Sequence, residues 1–98
     1  MPYRIDYSPA AVEHLRALEA GQQRTVLDSV DEQLRYQPGL ETRNRKPMRP
    51  NPIAPWELRI GILRVYYEIE AAETAVRILA VGVKERDVVR IGGEVIEL

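Results

Sequence analysis

The sequence predicts an α+β domain in which an N-terminal strand and a helical hairpin precede a three- to four-stranded antiparallel sheet. Apolar residues recur at helical spacing between residues 9 and 35, whereas they alternate with polar residues from residue 56 onward. Helices that are segregated from the strands along a chain are typical of the α+β class. A length of 98 residues fits one domain over residues 1–98.

The first third of the chain predicts a strand and two helices. Residues 3–7 alternate between apolar and polar, as a strand does. Ser8 and Pro9 suit an N-cap and a first helical position, so we expect the first helix to begin there and Gly21 to end it. We expect the Pro38-Gly39 pair to end the second helix. The apolar face of that second helix comprises Val26, Leu27, Val30 and Leu34.

The rest of the chain predicts a loop followed by strands. Residues 40–55 contain four prolines and no clean periodicity, which indicates an ordered or semi-ordered loop with exposed Arg and Lys side chains. Two strands then flank a tight turn at Gly61. Residues 74–83 are apolar on both faces, so we expect that strand to lie centrally in the sheet. The apolar tail at 88–98, which contains Gly92-Gly93, indicates a last short strand or a docking segment.

The hairpin around residue 61 separates arginines from apolar side chains. Side chains alternate between the two faces of a strand, so Leu63 and Val65 share one face and Arg64 lies on the other with Tyr66. If both helices pack on the apolar face, the opposite face carries Arg64 and Arg59. Guanidinium groups held on a rigid sheet are suited to binding phosphate. A merely solvated polar face is the alternative that spacing leaves open.

Charge is unevenly distributed, although the net charge is only −1. Residues 43–64 carry six basic groups and one acidic group, whereas the flanking segments each carry four basic and seven acidic groups. Local fields steer a polyanion more than total charge does. The central segment is therefore either a nucleic-acid-binding surface or a solvated basic loop. Its basic residues are Arg43, Arg45, Lys46, Arg49, Arg59 and Arg64.

Composition argues against several kinds of site. The chain has no Cys and one histidine, His14, which argues against disulfides, thiolate metal sites, structural zinc and a Ser-His-Asp triad. Neither a Gly-rich phosphate loop nor a paired-carboxylate motif is present, so we expect no metal and no cofactor. The N-terminus lacks a signal-peptide pattern, and no apolar stretch approaches the ~20 residues of a membrane span. We expect a cytoplasmic protein without a membrane partner.

Basic side chains carry the remaining chemistry. Cleavage of RNA through its own 2′-hydroxyl needs a base, cations that stabilise the phosphorane, and an acid for the leaving 5′-oxygen. Arginine stabilises such charge, while lysine or tyrosine transfers protons if its surroundings lower its pKa. The candidate residues are Arg59, Arg64, Lys84 and Arg86.

The chain resembles the RelE/ParE superfamily of toxin–antitoxin toxins over nearly its whole length. The resemblance lies in residues 56–61 (WELRIG), 64–69 (RVYYEI) and 78–84 (ILAVGVK), and in the start of the chain at residues 3–18. It implies a helical hairpin packed against a curved antiparallel sheet. RelE-type members cut mRNA in the ribosomal A site without a metal, whereas ParE-type members poison DNA gyrase.

The resemblance also implies roles for individual residues. Arg64 and Arg59 would hold the scissile phosphate, and Lys84 stands where the ribonucleases carry a catalytic arginine. Lys84 is therefore our candidate for proton transfer, so the expected catalytic set is Arg64, Lys84 and Arg59. The expected RNA contacts are Arg86, Arg90, Arg43, Arg45, Lys46 and Arg49.

Two positions depart from the ribonuclease pattern. Glu57 reverses the charge of an expected basic residue, and Arg90 stands at the position of a late tyrosine. The set of basic residues still favours a ribosome-dependent mRNA endoribonuclease that inhibits translation, with a cognate antitoxin, the ribosome and mRNA as partners. The alternatives are a ParE-like gyrase inhibitor without nuclease activity and an inactive homologue that binds only antitoxin.

Overall fold

The computed structural model describes residues 2–96 and has the α+β architecture that the sequence predicts. One strand and two helices come first, and the other strands follow. A short 3₁₀ turn, Ala71–Glu73, joins the fourth and fifth strands. The elements are β1 (Arg4–Tyr7), α1 (Pro9–Arg16), α2 (Ala20–Leu34), β2 (Arg45–Pro47), β3 (Trp56–Ile60), β4 (Leu63–Glu70), β5 (Ala75–Glu85), β6 (Val88–Ile91) and β7 (Glu94–Ile96).

The seven strands of the described chain form one sheet. Strands β2 to β7 lie side by side in chain order, each antiparallel to the next. β1 instead pairs in parallel with residues 75–78 of β5, and β6 pairs with residues 82–85. Because β4 occupies the other edge of β5, β1 and β6 share one long edge. β5 is thus central, as its two-sided apolar sequence predicts.

The sheet has more strands than the sequence predicts. The expected loop at 40–55 contains β2, which pairs with β3, so that prediction is wrong at residues 45–47. The apolar tail forms a hairpin, β6–β7, rather than a single strand. Gly92 and Gly93 make its turn with φ of +60° and +85°, a conformation that favours glycine. The last two positions of the predicted tail, 97 and 98, lie outside the described residues.

Helix α1 begins where the sequence predicts, whereas α2 begins at Ala20, before the predicted terminator Gly21, and both helices end earlier than predicted. Ser8 caps α1, and its Oγ accepts a hydrogen bond from the Ala11 N–H at 3.1 Å. α1 ends at Arg16, and Gly21 lies in the first turn of α2, so its predicted role as a terminator is wrong. The longer helix, α2, has 15 residues, and no described helix is both long and apolar enough to cross a bilayer.

The main core lies between α2 and one face of the sheet. Val26, Val30 and Leu34 of α2 are fully buried, as their spacing predicts. Leu27, which was expected to share that face, is 43% exposed. Burial of these apolar side chains is the dominant favourable contribution to folding. Their buried partners on the sheet are Leu58, Leu63, Val65, Tyr67, Val76, Ile78 and Val81.

A β-bulge in β5 changes which residues face the helices. Tyr66 pairs with Ala80 and Tyr67 with Ile78, so Leu79 is an extra residue on β5. Ile78 and Val81 consequently both pack in the main core, whereas Leu79 and Ala80 face away from it. Side chains along β5 therefore do not alternate strictly between the two faces at residue 79.

Two side chains form hydrogen bonds with the backbone of β5 between the stretch that pairs with β1 and the stretch that pairs with β6. The Ser8 hydroxyl donates to the Leu79 carbonyl at 3.2 Å. The His14 Nδ1 accepts a hydrogen bond from the Val81 N–H at 3.3 Å. Buried backbone polar groups require such partners. These two side chains therefore continue the hydrogen bonding of β5 across the gap between its two neighbours.

Candidate nucleic-acid interface

The face of the sheet away from the helices is covered at one end by residues 48–55. Asn51 fixes this segment, because its side chain bonds four backbone groups: the N–H of Ile53 and of Ala54, and the carbonyls of Arg49 and of Ala54. A smaller apolar cluster lies beneath the segment and along the same face. Its buried members are Ala54, Tyr66, Ala80 and Ile91.

An open cavity of about 500 Å³ lies on this same face, which we call the basic cavity. Its floor and one side come from β3 and β4, and its other side comes from the end of β5 with β6 and β7. It brings together the three residues predicted to be catalytic. Its lining residues are Glu57, Arg59, Arg64, Lys84, Asp87, Val88, Val89 and Ile96.

Arg59 and Arg64 lie directly opposite each other on β3 and β4. The two-residue turn between these strands uses Gly61 at φ +59°, which fixes this register. Directly opposed residues on neighbouring strands have Cβ atoms about 4.5–5.5 Å apart, and like charges there are destabilising. The hairpin therefore holds two positive charges together where an anion between them would be stabilising.

Arg64 is buried and has no acidic partner among the residues that the structure describes. It is only 9% exposed, and its Nη1 donates to the carbonyls of Gly61 at 2.6 Å and Leu63 at 2.9 Å. Within residues 2–96 it forms no ion pair. A buried charge without a counter-ion is costly, so the fold tolerates rather than benefits from this guanidinium. The two carbonyls hold one end of the group and leave its other nitrogens for a ligand.

Arg59 is held by an acidic neighbour. Its Nε donates to Glu57 Oε1 at 2.7 Å, and Glu57 is 8% exposed while Arg59 is largely exposed. The two residues are two positions apart on β3, so their side chains lie on the same face. The ion pair has one buried and one accessible partner. It restrains Arg59 at the mouth of the basic cavity without burying it.

Lys84 is exposed on the opposite side of the basic cavity, near the end of β5. Its backbone N–H donates to the Ile62 carbonyl at 2.7 Å, which ties this end of β5 to the β3–β4 turn.

Gly82 lies on β5 directly opposite Arg64. A Cβ at this position would approach the Arg90 carbonyl oxygen to 2.8 Å. β6 consequently packs closely against β5 beside the arginine pair.

Two predicted RNA contacts lie away from the basic cavity. Arg90 pairs in register with Val83, which packs towards the main core, so Arg90 lies on the helix side of the sheet. Its Nε donates to Glu85 Oε2 at 3.1 Å. Arg86 lies in the β5–β6 turn with φ +55° and is exposed. Neither arginine lines the basic cavity, although each adjoins a lining residue in sequence, Asp87 for Arg86 and Val89 for Arg90.

The basic residues of segment 43–49 have different surroundings. Arg43 is exposed, and Lys46 pairs with Glu41 at 3.6 Å. Lys46 and Arg49 line a second groove of about 330 Å³, which shares Glu57 and Arg59 with the basic cavity. A continuous surface therefore runs from Arg49 to Lys84.

Arg45 does not belong to that surface. It is half-buried on the helix side, where its Nη1 donates to the carbonyls of Gln33 at 2.7 Å and Tyr36 at 3.2 Å. The expectation that this arginine is exposed in a loop is wrong. A guanidinium at the end of α2 bonds carbonyls that the helix leaves without partners. The side chain has a structural role there.

Two residues of the site were underestimated from sequence. In the sequence, Glu57 is a departure from the family pattern, yet in the structure it forms the ion pair that holds Arg59. Tyr66 is fully buried on the same face and lies directly opposite Glu57. Burial raises the pKa of the Tyr66 hydroxyl, and the Glu57 carboxylate raises it further, whereas Arg64 and Arg59 lower it. The alternation of side chains along β3 and β4 would have placed both residues beside the arginines.

Comparison with known proteins identifies structural relatives of this arrangement. One chain of the toxin–antitoxin complex RelBE2 from Mycobacterium tuberculosis is 26% identical, with a TM-score of 0.75 over 86% of this chain and 93% of that one. One chain of the RelE–RelB complex from Pyrococcus horikoshii is 23% identical, with a TM-score of 0.69 over 88% of this chain and 99% of that one.

Sequence comparison alone does not find these relatives. No protein-family model and no curated protein matches the sequence. The structural matches nevertheless extend over most of each chain, and they agree with the resemblance seen in the strands and in the first helix. The chain therefore has the RelE-like fold, that of the RelE toxins in toxin–antitoxin complexes.

Proposed function

We propose that this protein is the toxin of a toxin–antitoxin pair and that it inhibits translation by cutting mRNA on the ribosome. The observation that carries the proposal is Arg64, which lies opposite Arg59 in the basic cavity and is buried without an ion-pair partner in the described part of the chain. Such an arrangement is unfavourable for stability and is suited to a bound phosphodiester. The likeness to a chain of the RelBE2 complex supports the toxin role and an antitoxin as partner.

Arg64 and Arg59 bind the scissile phosphate in this mechanism. Arg64 is fixed by the carbonyls of Gly61 and Leu63 and directs its remaining N–H groups at the phosphate. Arg59 approaches from the opposite strand. Attack by the 2′-hydroxyl on phosphorus places extra negative charge on the equatorial oxygens, and preorganised cations stabilise that charge more than they stabilise the ground state.

Proton transfer requires an acid and a base in the same cavity. The bond from phosphorus to the 5′-oxygen breaks as the bond to the 2′-oxygen forms, so one proton leaves the 2′-hydroxyl and one reaches the 5′-oxygen. The Lys84 ammonium is the donor that we assign to the leaving 5′-oxygen. The cavity offers two carboxylates, Glu57 and Asp87, as acceptors of the hydroxyl proton.

Lys46 and Arg49 extend the proposed interface beyond the scissile phosphate. They line the groove that continues from the basic cavity, so a strand of mRNA or ribosomal RNA would follow both surfaces. Contacts between basic side chains and phosphates release counter-ions and therefore weaken with salt. An acidic segment of the antitoxin would cover the same residues, because complementary charge favours that contact.

The decisive experiment is a translation reaction with purified protein, in which mRNA 5′ ends are mapped with and without ribosomes. We expect cuts only on translated mRNA, and we expect Arg64→Ala to abolish them while the protein remains folded. Arg16→Ala is the matched control, because it removes an exposed arginine of α1 and should leave cutting unchanged. Intact mRNA in the presence of the wild-type protein would contradict the proposal.

Gyrase inhibition is a second candidate function. It is favoured by the acidic Glu57 within the basic cavity and by the location of Arg90 on the other side of the sheet. A supercoiling assay with purified gyrase separates the two functions. Inhibition of supercoiling that persists in Arg64→Ala, together with intact mRNA, would favour the gyrase function over cleavage.

A further inference from the structure

The Tyr66 hydroxyl is a buried polar group for which residues 2–96 provide no hydrogen-bond partner. Tyr66 is 0% exposed, and no donor or acceptor within the described chain forms a hydrogen bond with its hydroxyl. A buried hydroxyl without a hydrogen bond destabilises a fold. Tyrosine hydroxyls in protein interiors usually find a partner. The absence of one beside the proposed phosphate site therefore requires an explanation.

The nearest acidic group is already engaged elsewhere. Glu57 lies directly opposite Tyr66 on the neighbouring strand, and both its negative charge and its closeness to the hydroxyl as a hydrogen-bond acceptor contribute to the raised pKa of the Tyr66 hydroxyl. No hydrogen bond of standard geometry joins the two groups in the described chain. The Glu57 carboxylate nevertheless forms its short bond, 2.7 Å, with Arg59. Glu57 thus has two neighbouring hydrogen-bond donors on the same face of the sheet and bonds to only one of them.

We propose that the Tyr66 hydroxyl becomes the partner of the Glu57 carboxylate when a bound phosphate draws Arg59 away. This inference rests on the proposed function, because it concerns how the same cavity accepts a phosphodiester. An arriving phosphate competes with Glu57 for Arg59. Without Tyr66, the exchange would leave a nearly buried carboxylate unpaired next to a second anion, which is costly.

Tyr66 is thus a positioning residue that acts through Glu57 and Arg59. A small change of the Glu57 side chain towards the opposite strand releases Arg59 and lets the Tyr66 O–H donate to a carboxylate oxygen. No covalent bond changes and no proton is transferred. The hydroxyl costs stability in the free protein and is satisfied only in the complex, so its contribution appears as affinity for the anion.

The adjacent tyrosine supplies a matched control. Tyr67 is also fully buried, but it lies on the helix side, and its hydroxyl donates to the Pro38 carbonyl at 2.9 Å. Removal of the Tyr66 hydroxyl and removal of the Tyr67 hydroxyl should therefore have opposite effects on the stability of the free protein. Tyr66→Phe removes an unsatisfied group from the free protein, whereas Tyr67→Phe removes a formed hydrogen bond that is far from the basic cavity.

The test is an NMR titration of the purified protein with pyrophosphate, following the Nε–H signals of Arg59 and Arg64, combined with urea unfolding. We expect Tyr66→Phe to bind pyrophosphate about tenfold more weakly while its urea midpoint is no lower than that of the wild type. Tyr67→Phe should show a lower midpoint and unchanged affinity. In a Glu57→Leu background, which has no acceptor for the Tyr66 hydroxyl, Tyr66→Phe should change the affinity by less than about twofold.

Equal pyrophosphate affinity of the wild type and Tyr66→Phe would overturn the inference, as would a wild-type protein that does not bind pyrophosphate. An equal loss of affinity in the Glu57→Leu background would also overturn it, because Tyr66 would then act independently of Glu57. The mRNA-cutting assay is a separate measurement. If the Tyr66 effect is seen but the wild type cuts no mRNA, the inference survives and the proposed function fails.

Discussion

His14 shows how one residue couples a helix to the centre of the sheet. Its Nδ1 accepts the Val81 N–H, which requires an imidazole without a proton on Nδ1. The ring also lies close to Gly92, where a Cβ would approach His14 Cδ2 to 3.1 Å. The neutral ring therefore fills a specific space between α1 and the β6–β7 hairpin. Burial lowers the pKa of His14 accordingly.

We predict that His14 makes stability depend on pH. Its pKa in the folded protein is below the unfolded value of about 6.5, so the unfolded chain takes up the proton first as pH falls. The contribution of the neutral His14 ring to the free energy of unfolding is complete above about pH 6.5. It is lost as the pH falls through the pKa of His14 in the folded protein. Urea unfolding between pH 7.5 and pH 5 should show this loss.

The His14→Asn variant is the control for that measurement. Asn Oδ1 can occupy the place of the histidine Nδ1 as an acceptor, and the side chain does not titrate in this range. The unfolding free energy of the variant should therefore fall less than that of the wild type between pH 7.5 and pH 5. Parallel curves for the two proteins would show that other groups cause the pH dependence.

Arg45 provides a second prediction at the level of a residue. Arg45→Met keeps the apolar stem but removes the bonds to the carbonyls of Gln33 and Tyr36. We expect a loss of about 1–2 kcal/mol in the free energy of unfolding. Cutting of mRNA per folded molecule should be unchanged. A stable Arg45→Met protein with much weaker cutting would instead indicate contact with RNA.

At the level of elements, the position of β6 depends on the absence of a side chain at residue 82. A Cβ there would approach the Arg90 carbonyl oxygen to 2.8 Å and the side chains of Val89 and Ile91 to 2.9 Å. Gly82→Ala must therefore displace β6, which forms one wall of the basic cavity. We expect about 1–3 kcal/mol of destabilisation, as for other overpacked sites, together with weaker anion binding.

Gly21→Ala is the control for Gly82→Ala, because it adds the same methyl group at an exposed position. Gly21 is exposed in the first turn of α2, and a Cβ there would meet nothing within 4 Å. Alanine is favoured over glycine in a helix by roughly 0.5–1 kcal/mol. Thermal unfolding should therefore show a gain in stability for Gly21→Ala and a loss for Gly82→Ala. A Gly82→Ala protein as stable as the wild type would show that β6 adjusts without strain.

Sequence patterns correctly predict the elements that are determined by residues close together in the chain. Ser8 and Pro9 predict the start of α1, and the turn at Gly61 places Arg59 and Arg64 on one face. Other features depend on residues distant in sequence. The bulge at Leu79 lies where β5 pairs with β4 and where the side chains of Ser8 and His14 bond the backbone of β5. The sequence of residues 74–83 alone does not predict these contacts with distant residues.

The same reasoning applies to the candidate site. Alternation along β3 and β4 brings Arg64 and Arg59 to the face that the sequence predicts, and Lys84 lines the same cavity. Arg90 was a candidate RNA contact, but pairing with Val83 places it on the helix side. Its position depends on the register between β5 and β6. Composition cannot specify that register, and a shift of one residue would reverse the face.

At the scale of the whole molecule, charge is separated although the net charge is only −1. The basic cavity and its neighbouring groove place Lys46, Arg49, Arg59, Arg64 and Lys84 on one face. We predict that binding to ribosomes weakens steeply as salt increases. Arg49→Ala should lower the slope of log affinity against log salt by about one, because one phosphate contact is lost.

That prediction is checked by measuring affinity over a range of potassium chloride concentrations. Arg24→Ala is the control, because Arg24 is exposed on α2, on the opposite side of the sheet. It changes the net charge by the same amount as Arg49→Ala and should leave the slope unchanged. Equal slopes for all three proteins would place the RNA contact elsewhere.

The pairing of both β1 and β6 with the same edge of β5 affects the order in which the sheet can assemble during synthesis. β1 is made first, but its only strand partner in the described chain is β5, and Ser8 bonds Leu79 across 71 residues of sequence. At synthesis rates of about 5–20 residues per second, the N-terminal strand waits several seconds for its place in the sheet. Lys84 and the β6 wall are made later still. The anion site is therefore incomplete in a nascent chain until β6 has been synthesised, and the proposed toxicity requires that strand.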